Sequence, residues 1–151
     1  MFLDFNIAEN KIKDIISNNQ FSDVLQEVVN FLYKNFDAYN WVGVYLVEED
    51  YLILGPWNVK QATEHTKIPI GRGVCGSAAQ SGKTEVVADV SKDTRYLACF
   101  VSTRSEIVVP IKKKGVVAGE IDIDSDVSNA FSESDVVFLE KVADMLGEHI
   151  C

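Results

Sequence analysis

Trp41-Val42-Gly43-Val44-Tyr45-Leu46-Val47-Glu48 is the stretch on which the fold turns. Before it, apolar residues recur with a helical period; from it onward they alternate. β-Branched and aromatic residues fill it, and Tyr51 to Trp57 repeats that composition after Glu49-Asp50, so the pair reads as a β-hairpin. Upstream, residues 7–18 carry Ile7, Ile12, Ile15 and Ile16 at helical spacing. Residues 22–36 repeat the pattern more strongly through Val24, Leu25, Val28, Val29, Leu32 and Phe36, with Ser22 at the N-cap position. Downstream, Gly73 to Gln80 is small and alanine-rich and reads as a short helix behind Gly71-Arg72-Gly73, and Thr84 to Ala88 reads as a strand. Residues 89–104 form a long polar connection that contains Cys99. Ser105 to Ile111 and Val116 to Asp124 read as a second hairpin turning at Lys113-Lys114-Gly115. Ser132, with Asp135 three residues on, opens a last helix whose buried face is Val136, Val137, Leu139, Val142, Ala143 and Leu146. This order predicts an α+β domain with a central antiparallel β-sheet flanked by N- and C-terminal helices.

At 151 residues, with no repeat, low-complexity tract or linker, the expectation is one domain over residues 1–151. A composition of 47% hydrophobic and 25% charged residues is that of a soluble globular chain. The formal charge of -9 argues against a nucleic-acid partner, which needs a basic surface. No apolar run has the length to span a bilayer, and no signal peptide is visible at Met1-Phe2-Leu3-Asp4-Phe5, so no membrane role and a cytoplasmic location are expected. Three cysteines, an odd number, fit reactive or incidental thiols better than a secreted disulfide framework.

Strand alternation puts Trp41 and Tyr45 on one face, with Gly43 between them, and Val42, Val44 and Leu46 on the other. The two aromatics form either an apolar wall for a ligand or a patch buried under a loop or helix. In the same way Glu120, Asp122 and Asp124 share one face, and Ile121 and Ile123 the other. A solvated sheet face would accommodate the acids, although Asp is disfavoured in strands. Neighbouring carboxylates raise one another's pKa unless a cation sits between them. Mg or Ca on Asp122 and Asp124 is one candidate; a substrate ammonium is the other. No further acidic cluster has metal-loop spacing, and His65 and His149 give no metal pattern, so neither metal nor other cofactor is expected.

A lone cysteine is most often a small buried hydrophobe. Cys99, however, has Arg95 and Arg104 nearby to favour a thiolate, and Cys75 follows Gly73 near a helix N-terminus, whose dipole acts the same way. Cys151 is the last residue and is given no role. Two thiols with Glu106, Asp122 and Asp124 suggest redox chemistry on a small polar substrate.

Several further pieces belong together: Asn40-Trp41-Val42-Gly43-Val44-Tyr45-Leu46, Leu54-Gly55-Pro56, Ile68-Pro69-Ile70-Gly71-Arg72-Gly73-Val74-Cys75-Gly76, Ala98-Cys99, Ser105-Glu106-Ile107-Val108-Val109-Pro110 and Ile121-Asp122-Ile123-Asp124-Ser125. In these pieces and their order the chain resembles the free methionine-(R)-sulfoxide reductases, enzymes built on a GAF domain. The resemblance implies that Cys99 attacks the sulfoxide sulfur of free methionine-(R)-sulfoxide and becomes a sulfenic acid as methionine leaves. It implies that Glu106 and Asp124 polarise or protonate the sulfoxide oxygen, that Asp122 pairs with the α-ammonium, and that Trp41 and Tyr45 box the methyl-sulfinyl end. It also implies disulfide recycling by thioredoxin, a part in resisting oxidative stress, and a homodimer, for which sheet edges are available.

The chain departs from the family in three places. A further cysteine precedes the Cys75 motif in the family; here His65 stands there, and no cysteine occurs from Met1 to Val74. Phe100 replaces an aspartate, and Arg95-Tyr96-Leu97 replaces Gly-His-Ile. The expectation is therefore that Cys75 resolves Cys99, or that an external thiol reduces the sulfenic acid directly. The alternative is a non-catalytic GAF domain that binds a small amino-acid-like ligand for regulation. The missing cysteine favours that alternative; Cys99, Glu106, Asp122 and Asp124 favour the enzyme.

Overall fold

The computed structural model describes residues 3–58, 66–96 and 102–150. Two helices come first, α1 (Phe5–Asn18) and α2 (Phe21–Asn35), followed by strands β1 (Trp41–Glu48), β2 (Tyr51–Asn58) and β3 (Lys67–Pro69). Helix α3 (Gly73–Ser81), β4 (Glu85–Val87), β5 (Ser105–Lys113), β6 (Val116–Ser125) and α4 (Glu133–Gly147) complete the order. The strands make one six-stranded antiparallel sheet in the order β3-β2-β1-β6-β5-β4. The α+β expectation holds, with one addition: β3 is three residues long, too short for alternation to announce it.

Helix starts differ from expectation in an instructive way. Helix α1 begins at Phe5 because Asp4 caps it, its Oδ1 accepting from the amides of Asn6 (2.9 Å) and Ile7 (3.2 Å). Helix α2 begins at Phe21, before Ser22, with Gln20 in the cap position and no side-chain cap. At α4 the expected capping box is present: Asp135 Oδ2 accepts from the amide of Ser132 at 2.9 Å, and Ser132 Oγ accepts from the amide of Asp135.

The two faces of the sheet are covered differently. On one, Val42, Val44, Ile107, Val109, Ile111, Ile121 and Ile123 pack with the buried stripes of α1, α2 and α4 into the larger core. On the other, Trp41, Tyr45, Leu52 and Val108 pack with Val74, Cys75, Ala78 and Ala79 of α3 into a smaller one. Gly76 makes the close approach of α3 possible: a Cβ there would meet Pro69 O at 2.7 Å and Gly71 N at 2.9 Å. Among the described residues no helix is long and apolar enough to cross a membrane.

Candidate active site

Pairing across the central strands sets out the site before any side chain is considered. Trp41 of β1 pairs with Asp124 of β6, which pairs on its other side with Glu106 of β5. In the next row on that face, Gly43 pairs with Asp122 and Asp122 with Val108; in the third, Tyr45 pairs with Glu120 and Glu120 with Pro110. Directly opposed residues point the same way. Three adjacent strands therefore deliver two aromatics and four carboxyls to the face under α3.

None of those acids is solvated. Glu106 is 5% exposed, Glu120 0%, Asp122 3% and Asp124 2%, which overturns the reading of this face as a wet sheet surface. The aromatics are buried beside them, packed under α3 in the smaller core. Trp41 reaches the centre because Gly43 has no side chain: a Cβ there would run into the indole, with Trp41 Cζ3 at 2.8 Å.

Cys75, on the first turn of α3, lies over the acids. Its thiol donates to Asp122 Oδ2 at 3.3 Å and lies 4.0 Å from Glu106 Oε2. Burial pushes its pKa well up, and the Asp122, Glu120 and Glu106 charges push the same way. The expectation that the helix dipole makes Cys75 a thiolate is thereby corrected. A helix terminus is worth about 0.3–1 kcal/mol, too little to set against burial among acids.

The carboxyls are driven towards their neutral forms. Burial raises Glu106 well above the usual range, and the adjoining Asp122 and Asp124 charges and hydrogen bonds add to the rise. Asp124 is raised well above it by burial and by Asp122, against hydrogen bonds from Glu106 and Thr103, whose hydroxyl lies 3.5 Å from Asp124 Oδ2. Glu120 is raised by burial and then by Asp122. Asp122 is raised by burial too, but hydrogen bonds from Glu106 and Cys75 favour its carboxylate. Asp122 Oδ1, Asp124 Oδ1 and both oxygens of Glu120 are buried with no hydrogen-bond partner among the described residues. Buried acid oxygens of this kind call for a donor or a cation beyond the described residues.

Cys99, His65 and Cys151 lie outside the described residues. Of the two arginines near Cys99 in sequence, Arg95 pairs with Glu85 at 3.0 Å and Asp93 at 2.8 Å. Arg104 donates to Thr103 O at 3.4 Å. Thr103 and the burial of Glu120 were not anticipated. A hydroxyl in an aperiodic connection carries no signal, whereas the facing of Glu120 by Tyr45 follows from strand register.

Residues 20–150 match the GAF domain family. The chain is 40% identical over 118 residues to the free methionine-R-sulfoxide reductase of Escherichia coli, spanning 74% of this chain and 70% of that protein. The free methionine-R-sulfoxide reductase of Neisseria meningitidis, solved in complex with its substrate, superposes with a TM-score of 0.91 at 33% identity, over 99% of this chain and 93% of that one. The reduced form of fRMsr of Staphylococcus aureus superposes with a TM-score of 0.90 at 34% identity, over 98% and 96%.

Proposed function

Because the chain belongs to the GAF domain family and, within it, to the free methionine-R-sulfoxide reductases, we propose that it reduces free L-methionine-(R)-sulfoxide to methionine in the acidic pocket under α3. The observation that carries the reading is the convergence of Glu106, Asp122 and Asp124 on one buried face beside Trp41 and Tyr45.

Each group then has a task suited to its surroundings. Asp122 holds the substrate's α-ammonium: it is the acid whose neighbours favour the carboxylate, and its Oδ1 has no partner among the described residues. A methionine sulfoxide inside a peptide lacks that ammonium, which accounts for a preference for the free amino acid. Glu106, held protonated by burial between two aspartates, supplies a proton to the sulfoxide oxygen, with Asp124 beside it. Trp41 and Tyr45 enclose the methyl-sulfinyl end. The Cys99 thiolate attacks the sulfoxide sulfur; the oxygen passes to Cys99 as sulfenic acid, and the sulfoxide is reduced to the thioether. The Cys75 thiol then attacks the sulfenic sulfur, forming a disulfide and releasing water, and an external dithiol such as thioredoxin reduces that disulfide. A cytoplasmic setting, where thiols stay reduced, belongs to the same reading.

Turnover of free methionine-(R)-sulfoxide, measured in parallel with dithiothreitol and with a thioredoxin system, tests it. Activity with both reductants is expected, abolished by Cys99→Ser. Cys75→Ser should lose the thioredoxin-driven cycle and keep the dithiothreitol-driven one. Full activity in Cys99→Ser would refute the nucleophile. A folded protein inactive with both reductants would favour the non-catalytic ligand-binding reading, to which the missing upstream cysteine already points.

A further inference from the structure

We propose that Cys75, Glu106 and Asp122 form a zinc site, at which Zn2+ competes with the substrate for the pocket. Metal binding itself stands apart from the reductase reading; the competition rests on it.

The donors are already gathered. Cys75 Sγ, a Glu106 oxygen and an Asp122 oxygen all lie within 4.8 Å of one another, with Sγ 3.3 Å from Asp122 Oδ2 and 4.0 Å from Glu106 Oε2. A tetrahedral zinc has bonds of roughly 2.3 Å to sulfur and about 2.0–2.2 Å to oxygen, which sets sulfur and oxygen about 3.5 Å apart. The two sulfur–oxygen separations bracket that value. Each donor comes from a different element: α3 supplies the sulfur, β5 and β6 the oxygens. The set is therefore fixed by tertiary packing and not by one flexible loop.

A second observation points to a missing cation. Asp122 Oδ1, Asp124 Oδ1 and both Glu120 oxygens are buried without partners among the described residues, and Glu120 is wholly inaccessible. Buried acid oxygens without donors are costly, and a dication set among them lowers that cost for the whole cluster. Donor chemistry then chooses the ion. Mg and Ca take oxygen ligands alone and in larger number, so a site built on Asp122 and Asp124 for those ions leaves out the nearest donor. A thiolate joined by carboxylates suits zinc. Three protein ligands leave the fourth position open. On binding, the Cys75 thiol releases its proton to solvent and the sulfur becomes a metal-bound thiolate. An Asp122 carboxylate held by zinc is unavailable to an ammonium group, which produces the competition.

The full-length protein, freed of metal with a chelator and kept reduced, is titrated with Zn2+ against a chromophoric chelator, and separately with Co2+ as a spectroscopic stand-in. One equivalent of zinc and a thiolate-to-cobalt charge-transfer absorption are expected in the unaltered protein. Cys99→Ser should keep that absorption, and Cys75→Ser should lose it with at least about a tenfold loss of zinc affinity, the scale typical of a disturbed metal site. Asp122→Asn should weaken zinc similarly. Absence of the charge-transfer band from the unaltered protein overturns the site without reference to any variant's folding. Loss of the band in Cys99→Ser with retention in Cys75→Ser overturns it by placing the sulfur elsewhere. A chain that binds zinc but turns over no sulfoxide leaves the site standing and removes the reductase reading; an active enzyme that zinc neither binds nor inhibits does the reverse.

Discussion

Glu106 and Asp124 stand directly opposite each other across the β5–β6 ladder, both buried, with Asp122 in the next row of the same face. Two carboxyls so placed cannot both be charged without strong repulsion. Burial and the neighbouring aspartate push both carboxyls well above the usual range, towards their neutral forms. In the proposed reaction, a carboxyl in its neutral form is the group that can protonate the sulfoxide oxygen.

The first prediction separates binding from proton delivery. Asp122→Asn removes the partner of the ammonium and should raise KM by about tenfold to hundredfold, the scale of a lost charge-assisted hydrogen bond. Glu106→Gln should act mainly on kcat, lowering it by about 10²–10⁴-fold, the range for a general acid. Steady-state kinetics on free methionine-(R)-sulfoxide check both. Equal effects on the same parameter would contradict the division of roles.

The second prediction concerns pH and stability. Glu120 has its pKa raised in the folded chain by burial and by Asp122. The folded state thus holds a proton that the unfolded state gives up above the ordinary carboxylate range, near about pH 4. This stability is fully present below that range and is lost as pH rises through the raised folded value. Thermal midpoints in chelator-containing buffer should therefore fall from mildly acidic to mildly alkaline pH, and Glu120→Gln should flatten the fall. A change of about 1 kcal/mol corresponds to about 2–4 °C for a chain of this size. A midpoint that climbs with pH over that interval would contradict the assignment.

At the acid end the sign reverses. Asp93 is held below the usual carboxylate range, first by its hydrogen bond from Arg95. Its contribution is present above the unfolded value and disappears as pH falls through the depressed folded one. Asp93→Asn should consequently remove part of the steepness of acid unfolding followed by circular dichroism.

A third prediction tests the aromatic wall. Gly43→Ala places a methyl group against the Trp41 indole. Overpacking of this kind costs about 1–3 kcal/mol, and moving the indole should also raise KM. Fluorescence in a Trp57→Phe background, which leaves Trp41 as the one indole of the chain, follows the displacement.

The fourth acts at the other core. The Tyr39 hydroxyl donates to Asp135 Oδ1 at 2.6 Å, while Asp135 Oδ2 completes the α4 cap. Tyr39→Phe should lower stability by about 1.5–3 kcal/mol, as for a hydrogen bond to a charged group, in urea denaturation, with kcat unchanged because the pair lies on the helix-covered side of the sheet.

Much of this was legible in the chain because strands advertise their two faces. The alternation of Ile121 and Ile123 with Glu120, Asp122 and Asp124 fixed which residues share a side, and β1 gave Trp41 and Tyr45 in the same manner. What alternation cannot say is which side meets water. A row of acids reads as solvent-facing until α3 is laid over it, and Gly76 lets α3 pack closely on the Pro69–Gly71 segment that leads into it. Helix-dipole reasoning at Cys75 failed for a related reason: the local helix is visible in sequence, but acids distant in sequence decide the electrostatics. Asp4 as a cap was missed because the apolar period of α1 begins after it.

The β5–β6 hairpin has a consequence for how the chain reaches its native pairing. Every second residue of β6 between Glu120 and Asp124 is an acid and every other an isoleucine, and the two kinds face opposite layers. A slip by a single residue would thrust the acids into the aliphatic layer beneath α1, α2 and α4 and strand the isoleucines among carboxyls. The one irregularity in this ladder falls between Ile111 and Lys112, beside the turn and beyond the acid rows. The same alternation that concentrates the acids on one side thus penalises every one-residue misalignment of the strands.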